Sequence, residues 1–418
     1  MKILLVSLDN SEKALIGGKH IHQELIKKGW RESGHHVDMI YPRGKKWYFF
    51  RFLRKINLLL GLISQYEYLR RGVEADRRII ENLLAELIRQ SKYDIISAQD
   101  VVAAIAVQSA FARSGQKPPR VVLTLHGYFA RESINYGQFN EEDQPKVMNY
   151  CTKIERQALQ FVSAVVTVDS RIRQYIQDDL SFSKSIKVIT NAIDDNRFIP
   201  VGEQEKGFLR RKLKINSIDM VLIVARRLVN KNGVLYAVQA MHRLKESDDL
   251  QKYNMRLLII GRGPEKRNIT EYIAQKNLEH YVSLVGLVPH NRIDAYYKAA
   301  DIVLMPSINS NGIEEATSLS MLEGMACGKM VIASAIGGLK EVIVNGENGL
   351  LVKDKDADAM AEAIMAVTRS EVPVQDIKKS AEAYAKKNAG YREHSLKFIS
   401  FFENLRASSE PKQAVSAT

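Results

Sequence analysis

Residues 255–276 read MRLLIIGRGPEKRNITEYIAQK. Met255–Gly261 is a near-continuous apolar run, glycine and proline follow at once, and Pro264–Lys276 has the make-up of a surface helix. A strand without polar alternation is one covered on both faces, and a helix directly behind it predicts a β-α unit of a parallel sheet.

The same rhythm extends in both directions. Upstream lie ILLVSL, HVDMI, YDIIS, RVVLTLH, AVVTV and IKVIT, starting at Ile3, His36, Tyr93, Arg120, Ala164 and Ile186, and then MVLIVA at Met220. Downstream follow VSLVG, DIVLMPS and MVIAS, at Val282, Asp301 and Met330. Helical stretches such as Gly18–Lys28 and Asp76–Arg89 fill the gaps. This predicts an α/β chain of two Rossmann-like, doubly wound domains facing a central cleft, with the informative residues just beyond the carboxyl ends of the strands. A length of 418 residues suits two domains. The polar turn formers of Asn191–Pro200 place the break: an N-terminal domain over 1–195 and a C-terminal one over 196–385. A helical segment over 386–405 is expected to pack back on the first domain, and 406–418 read as a disordered tail.

Composition narrows the function. Hydrophobic residues at 45% and charged residues at 26% exclude a fibrous or wholly disordered chain. Lys plus Arg number 61 against 48 acids, and the resulting +13 suits a phosphate-bearing partner. Two cysteines, Cys151 and Cys327, allow no disulfide framework or cysteine zinc cage and suit a reducing cytoplasm. No segment reads as a targeting signal, and the longest lipid-like run, Ile56–Ile63, falls short of the ~20 residues of a spanning helix.

The stretch from Pro306 to Glu341 carries the most chemistry. Glu315 falls in a loop, and Glu323 follows within a helix-prone segment from Ala316 to Ala326. The first residues of that segment, Ala316, Thr317, Ser318 and Leu319, would turn backbone N–H groups toward a diphosphate. Glu323 could accept from ribose hydroxyls and Glu315 from those of a sugar; spacing alone would equally allow two solvated helix glutamates. A second cluster, Ala225 to Gly233, follows the strand MVLIVA with Arg226, Arg227 and Lys231. Cations there can offset charge growing on a leaving diphosphate. In the first half, His126 follows RVVLTL, and Gly17-Gly18 occupies the first strand-helix loop.

These motifs, in this order, resemble glycosyltransferase family 4, the retaining group 1 glycosyltransferases of GT-B fold. The family's E-x7-E falls on Glu315 and Glu323, and its small-residue helix and Cys-Gly-Lys turn on Met325–Lys329, with Met330 where proline is usual. Its N-G-v-D segment appears as Asn191-Ala192-Ile193-Asp194, its G-x-G-P turn as Gly261 to Pro264, and its base-contacting segment as Leu284–Pro289, including Val285. Gly337-Gly338 before Glu341 also match. The resemblance implies donor contacts at Gly17, Gly18, Gly261, Gly263, Val285, Ala316 to Leu319 and Glu323. It implies a diphosphate clamp of Arg227 with Lys231, Arg226 being the alternative, and a positioning role for His126 beside the reacting sugar. It implies catalysis by His126, Glu315, Arg227 and Lys231 without a metal or other cofactor. Asp356-Ala357-Asp358 has the spelling of a metal-binding Asp pair but sits where a helix cap belongs.

The expected activity is transfer of a hexosyl unit from a nucleotide sugar, a uridine diphosphate sugar first, to a glycan or lipid-linked acceptor in bacterial surface polysaccharide or glycolipid synthesis. A nucleotide-sugar epimerase of the same fold is the runner-up. A basic membrane- or nucleic-acid-binding protein is the alternative of another class, although it leaves the ordered glutamates and glycines unexplained, and no nucleic-acid partner is expected. A nicotinamide-dependent dehydrogenase lacks its glycine fingerprint after the first strand. Separately, Arg43–Lys55 holds six cations, five aromatics and no acid. This suits either an anionic membrane surface, making the enzyme cytoplasmic and peripheral, or a helix packed into the first domain.

Overall fold

The computed structural model describes residues 1–8, 18–42, 64–136, 139–310, 312 and 314–408. Gly17, Arg43–Lys55 and Ile56–Ile63 lie outside the described residues.

Two compact units divide the chain. The first contains Gln23–Thr190 with Met1–Lys13 and the chain from Arg392; the second contains Asn191–Tyr391 with Ala14–His22. The first sheet is formed by β1 (Lys2–Val6), β2 (His36–Ile40), β3 (Ile95–Ala98), β4 (Arg120–Leu125), β5 (Ala164–Thr167) and β6 (Ser185–Val188), in the order β2-β1-β3-β4-β5-β6. The second is formed by β7 (Met220–Ala225), β8 (Met255–Ile260), β9 (Val282–Gly286), β10 (Ile302–Met305), β11 (Met330–Ser334) and β12 (Leu350–Val352), in the order β12-β11-β10-β7-β8-β9. Every pairing in both sheets is parallel. The apolar runs are strands covered on both faces: Leu222, Val224, Leu304 and Ile332 on one side and Val221, Ile223, Val303 and Val331 on the other are all 0% exposed.

The strand order of the second sheet reverses between β7 and β10. At such a switch point the connections leave to opposite sides and open a crevice beyond the carboxyl ends. The residues that follow these two strands, Arg226 and Pro306–Ile308, therefore face one another.

Several element ends differ from expectation. The helix expected over Asp76–Arg89 runs from Gln65 to Gln90, with Ser64 accepting from Glu67 N–H as its cap. The chain enters the second unit at Asn191 rather than after Asp195. The reason is local: Asn191 Nδ2 donates to Thr317 O at 2.7 Å, and Ile193 bridges to Gly390. The last helix, Tyr391–Ala407, is counted with the first unit from Arg392 and continues past residue 405. Phe398 and Phe402 stand edge-on to Trp30 at 5.7 and 5.4 Å, inside a core shared with Ile3, Leu5 and Ile26. Cys151 and Cys327 are buried free thiols. No helix among the described residues is long and apolar enough to cross a membrane.

Candidate functional site

Arg226 leaves β7 with its side chain turned inward, 3% exposed, while the neighbouring Arg227 is exposed. Its Nη2 lies 2.8 Å from Glu315 Oε1, and its Nη1 donates to Ser307 Oγ just beyond β10. Lys231 Nζ stands 3.9 Å from the other Glu315 oxygen. Two cations and one carboxylate thus gather at the switch point of the second sheet, where burial is tolerable only because the charges are paired and hydrogen-bonded. Of the two arginines weighed from sequence, the structure brings Arg226 to Glu315 and Lys231. Alternation explains the choice: Ala225 is the last β7 residue, and side chains of successive residues leave a strand on opposite sides.

Glycines hold this corner by close backbone approach. Gly261 adopts φ 147°, and a Cβ there would stand 1.8 Å from Arg226 O; one on Gly263 would stand 2.2 Å from Leu228 O. Arg226 N–H bonds Ile260 O, and Leu228 N–H bonds Arg262 O, so the β8 turn props the β7 turn. Gly233, at φ 60°, would place a Cβ 1.9 Å from Pro306 O. These positions, read from the resemblance as donor contacts at Gly261 and Gly263, have protein backbone where a side chain would be.

Glu315 sits in an extended loop that leads to the helix Leu319–Ala326. That helix begins at Leu319, not at Ala316, because Ala316 and Thr317 are spoken for. Asn191 holds the Thr317 carbonyl, and Gly338 packs so tightly that a Cβ would lie 2.5 Å from Thr317 N. Gly338 N–H also bonds Glu315 O, and Gly337 N–H bonds Glu314. Ser318 occupies the N-cap without a side-chain cap bond, so the helix start presents backbone donors beside Arg226 and Glu315. Ser320 Oγ donates to Ala225 O at 2.6 Å, tying helix and β7 together.

Glu323, 4% exposed, lies one turn into that helix. Its Oε1 is 2.7 Å from His290 Nε2. Arg197 approaches the same ring at 3.2 Å, covers Phe198 at 4.4 Å, and lies 3.8 Å from Asp294. Tyr297 is buried beneath, its phenol pushed well above the usual range by burial and then by the Glu323 charge. Sequence reasoning missed Ser307, Arg197 and His290. A lone histidine carries little signal, and its place just after the segment Leu284–Pro289 was the only hint.

The remaining positions are dispersed. Val285 is half-buried near the end of β9, where Gly286 O accepts from Gly261 N–H. Gly18 opens the helix Gly18–Glu32, and a Cβ there would come within 3.2 Å of Leu319 Cδ1. In the first unit His126 follows β4, its Nε2 3.3 Å from Gln99 Oε1 at the end of β3. The Glu132 carboxylate covers Gly127. Beneath that loop Glu155 is fully buried and accepts from Tyr175 Oη at 2.9 Å. Burial pushes its carboxyl up to about 7, against the Tyr175 hydroxyl and the Ala130 and Phe129 N–H groups. Asp356 is the N-cap of the helix Ala357–Thr368, accepting from Ala359 N–H at 2.9 Å, and Asp358 pairs with Arg243 at 2.7 Å.

Residues 205–388 match the family described as glycosyl transferases group 1, and residues 16–197 the one described as Glycosyltransferase Family 4. An uncharacterized glycosyltransferase of Methanocaldococcus jannaschii is 25% identical over 86% of this chain and 87% of its own length. The putative colanic acid biosynthesis glycosyltransferase WcaL of Salmonella typhimurium is 31% identical, over 40% of this chain and 41% of that protein. Among solved structures, Anabaena Alr3699/HepE in complex with UDP-glucose superposes with a TM-score of 0.69 at 18% identity, covering 97% of this chain and all of that one.

Proposed function

The chain belongs to the group 1 glycosyltransferases of GT-B fold, and we propose that it transfers a hexosyl unit from a uridine diphosphate sugar to a glycan or lipid-linked acceptor with retention of anomeric configuration. The observation that carries this reading is the Arg226–Glu315–Lys231 cluster at the switch point of the second sheet. As the glycosidic bond breaks, the leaving diphosphate gains negative charge. Arg226 and Lys231, already placed and partly desolvated, meet that charge without having to reorganise. N–H groups at the start of Leu319–Ala326 supply further donors to the phosphates.

Glu315 holds hydroxyls of the sugar, and Glu323 the ribose. His126 keeps the sugar-positioning role that the resemblance assigns it. Retention follows when the acceptor attacks the face from which the diphosphate departs: the acceptor hydroxyl forms the new C–O bond, and its proton passes to a departing phosphate oxygen. With cations of the chain neutralising the diphosphate, turnover needs no divalent ion. The UDP-glucose complex of Anabaena HepE supports the donor, and relatives named for colanic acid and amylovoran biosynthesis support a surface-polysaccharide acceptor. That setting agrees with a cytoplasmic enzyme.

Proton nuclear magnetic resonance of the first-formed product from UDP-α-glucose, with and without chelator, tests the proposal. An α-linked product formed at an undiminished rate in chelator is expected. A β-linked product would remove the retaining mechanism, a strict metal requirement would remove the cation clamp, and epimerised donor without glycoside would favour the epimerase reading.

A further inference from the structure

A cavity of about 690 Å³ opens at the other end of the second sheet. Met220, Ile302 and Met330, which begin β7, β10 and β11, form its floor, and the start of the helix Val374–Ala389 forms part of its wall. It shares no lining residue with the cluster around Arg226, which follows the opposite end of the same β7 strand.

We propose that this cavity is a second binding site, for a phosphorylated small molecule of sugar-phosphate size, with the phosphate held by Lys329, Lys206 and Lys378. The strongest reason is Lys329. It is only 6% exposed, lines the cavity, and its Nζ donates to the Lys298 carbonyl at 2.8 Å, a partner without charge. The charges nearest to it include Lys206 and Lys378, which repel it, and Asp301. Asp301 is already shared: it lies 2.7 Å from Lys206 Nζ, accepts from Arg210 at 2.7 Å and from Val221 N–H at 2.7 Å. One carboxylate therefore serves two other cations. Burial, followed by the Lys206 charge, lowers the Lys329 ammonium to about 8. A dianion beside these ammonium groups would relieve both the burial and the mutual repulsion, and lysine is a common point-charge partner of phosphate. The 16-residue helix Val374–Ala389 has no side-chain cap and adds its positive end to the same wall.

The other acids on the lining favour a sugar phosphate over bare phosphate. Asp376 is exposed in the first turn of that helix, Glu382 faces Gly328, and Glu203, with its side chain 89% exposed, stands 3.7 Å from Lys206 at the rim. Carboxylates repel phosphate but accept hydrogen bonds from hydroxyls, so the lining offers separate places to the two halves of such a ligand. The volume lies inside the ~300–1,000 Å³ range of small-molecule sites.

Amine acylation of the full chain at pH 8, read residue by residue by peptide mass spectrometry, tests this with glucose 1-phosphate as the probe, inorganic phosphate and glucose as comparisons, and sodium chloride at matched ionic strength. At about ten times the dissociation constant, mass action for one site slows acylation of Lys329 and Lys378 about tenfold. Lys146 and Lys212 remain unaffected. Inorganic phosphate protects less, and glucose and chloride do not protect. Lys329→Met abolishes protection of Lys378. Should that variant not fold, Lys378→Ser, on a partly exposed helix position, must still weaken protection of Lys329. Absence of protection, equal protection by chloride, or protection of Lys329 that is unchanged in Lys378→Ser would each overturn the site.

Discussion

Glu315 Oε1 lies 2.8 Å from Arg226 Nη2, while the adjacent Arg227 is exposed. Two neighbouring arginines thus have opposite fates, and they are separable by mutation. Arg226→Ala is expected to lower kcat about 100-fold or more, the scale for loss of one placed transition-state donor. Arg227→Ala, at an exposed position, should lower turnover less than Arg226→Ala does. Rates of UDP release from UDP-glucose, with thermal melts to confirm folding, check this; equal losses in the two variants would contradict it.

Glu315 itself should discriminate between its two roles. Gln keeps an oxygen for sugar hydroxyls and for Arg226 but loses the charge, whereas Ala keeps neither. Glu315→Gln is therefore expected to retain more activity than Glu315→Ala. The same pair of variants, read by melting temperature, should show Ala as the less stable, since it leaves buried Arg226 without even a hydrogen-bond acceptor in place of the carboxylate.

His290 orients Glu323 through the 2.7 Å hydrogen bond. Glu323→Ala should weaken UDP binding by about 1.5–3 kcal/mol, the range for a hydrogen bond to a charged group. His290→Ala should weaken it less, and His290→Gln should recover part of the loss. Calorimetry with UDP and with 2′,3′-dideoxy-UDP provides the check: a ribose contact predicts that Glu323→Ala barely changes affinity for the dideoxy compound.

Glu155 makes stability depend on pH. Its carboxyl is raised from 4.5 to about 7, so between those values the folded chain holds a proton that the unfolded chain has released. Stability from this group is fully present below about 4.5 and is lost as pH rises through 7, by about 3–4 kcal/mol at 1.36 kcal/mol per pH unit. Urea midpoints at pH 5 and pH 8 should therefore differ less in Glu155→Gln than in wild type, and the variant should be the more stable at pH 8.

Gly261→Ala should cost more than Gly34→Ala, although both residues have positive φ. At Gly34 nothing lies within 4 Å of an added Cβ, so only the left-handed backbone penalty of about 1–2 kcal/mol applies. At Gly261 the Arg226 carbonyl is in the way, and displacing it adds an overpacking cost of about 1–3 kcal/mol. Denaturant midpoints compare the two, and only Gly261→Ala should also reduce turnover.

The sheet pattern was legible because parallel strands buried on both faces write themselves as runs such as MVLIVA and MRLLIIG. Glu315 and Glu323 were legible through their spacing and surrounding small residues. Which arginine turns inward was not, since it depends on where β7 ends, and a one-residue difference reverses the side. The start of the helix at Leu319 depends on Asn191 and Gly338, residues far away in the chain, and local propensity carries no trace of them. His290 and Ser307 were invisible for the same reason. Each matters through a partner more than 30 positions distant.

The helix Tyr391–Ala407 has a consequence for the order of events at the ribosome. The aromatic side chains that close the Trp30 core are synthesised only after Asn191–Tyr391, so the first unit cannot complete its interior when Thr190 emerges. It must wait through the making of the entire second unit, roughly 10–40 s at about 5–20 residues per second. Asn191–Tyr391, by contrast, supplies all of the second unit except Ala14–His22, which is made earlier, so that unit can close its own core first. The later-made half thus matures ahead of the earlier one. A nascent chain stalled before Phe398 would expose Trp30 and its neighbours to chaperones while already carrying a finished Arg226–Glu315 corner.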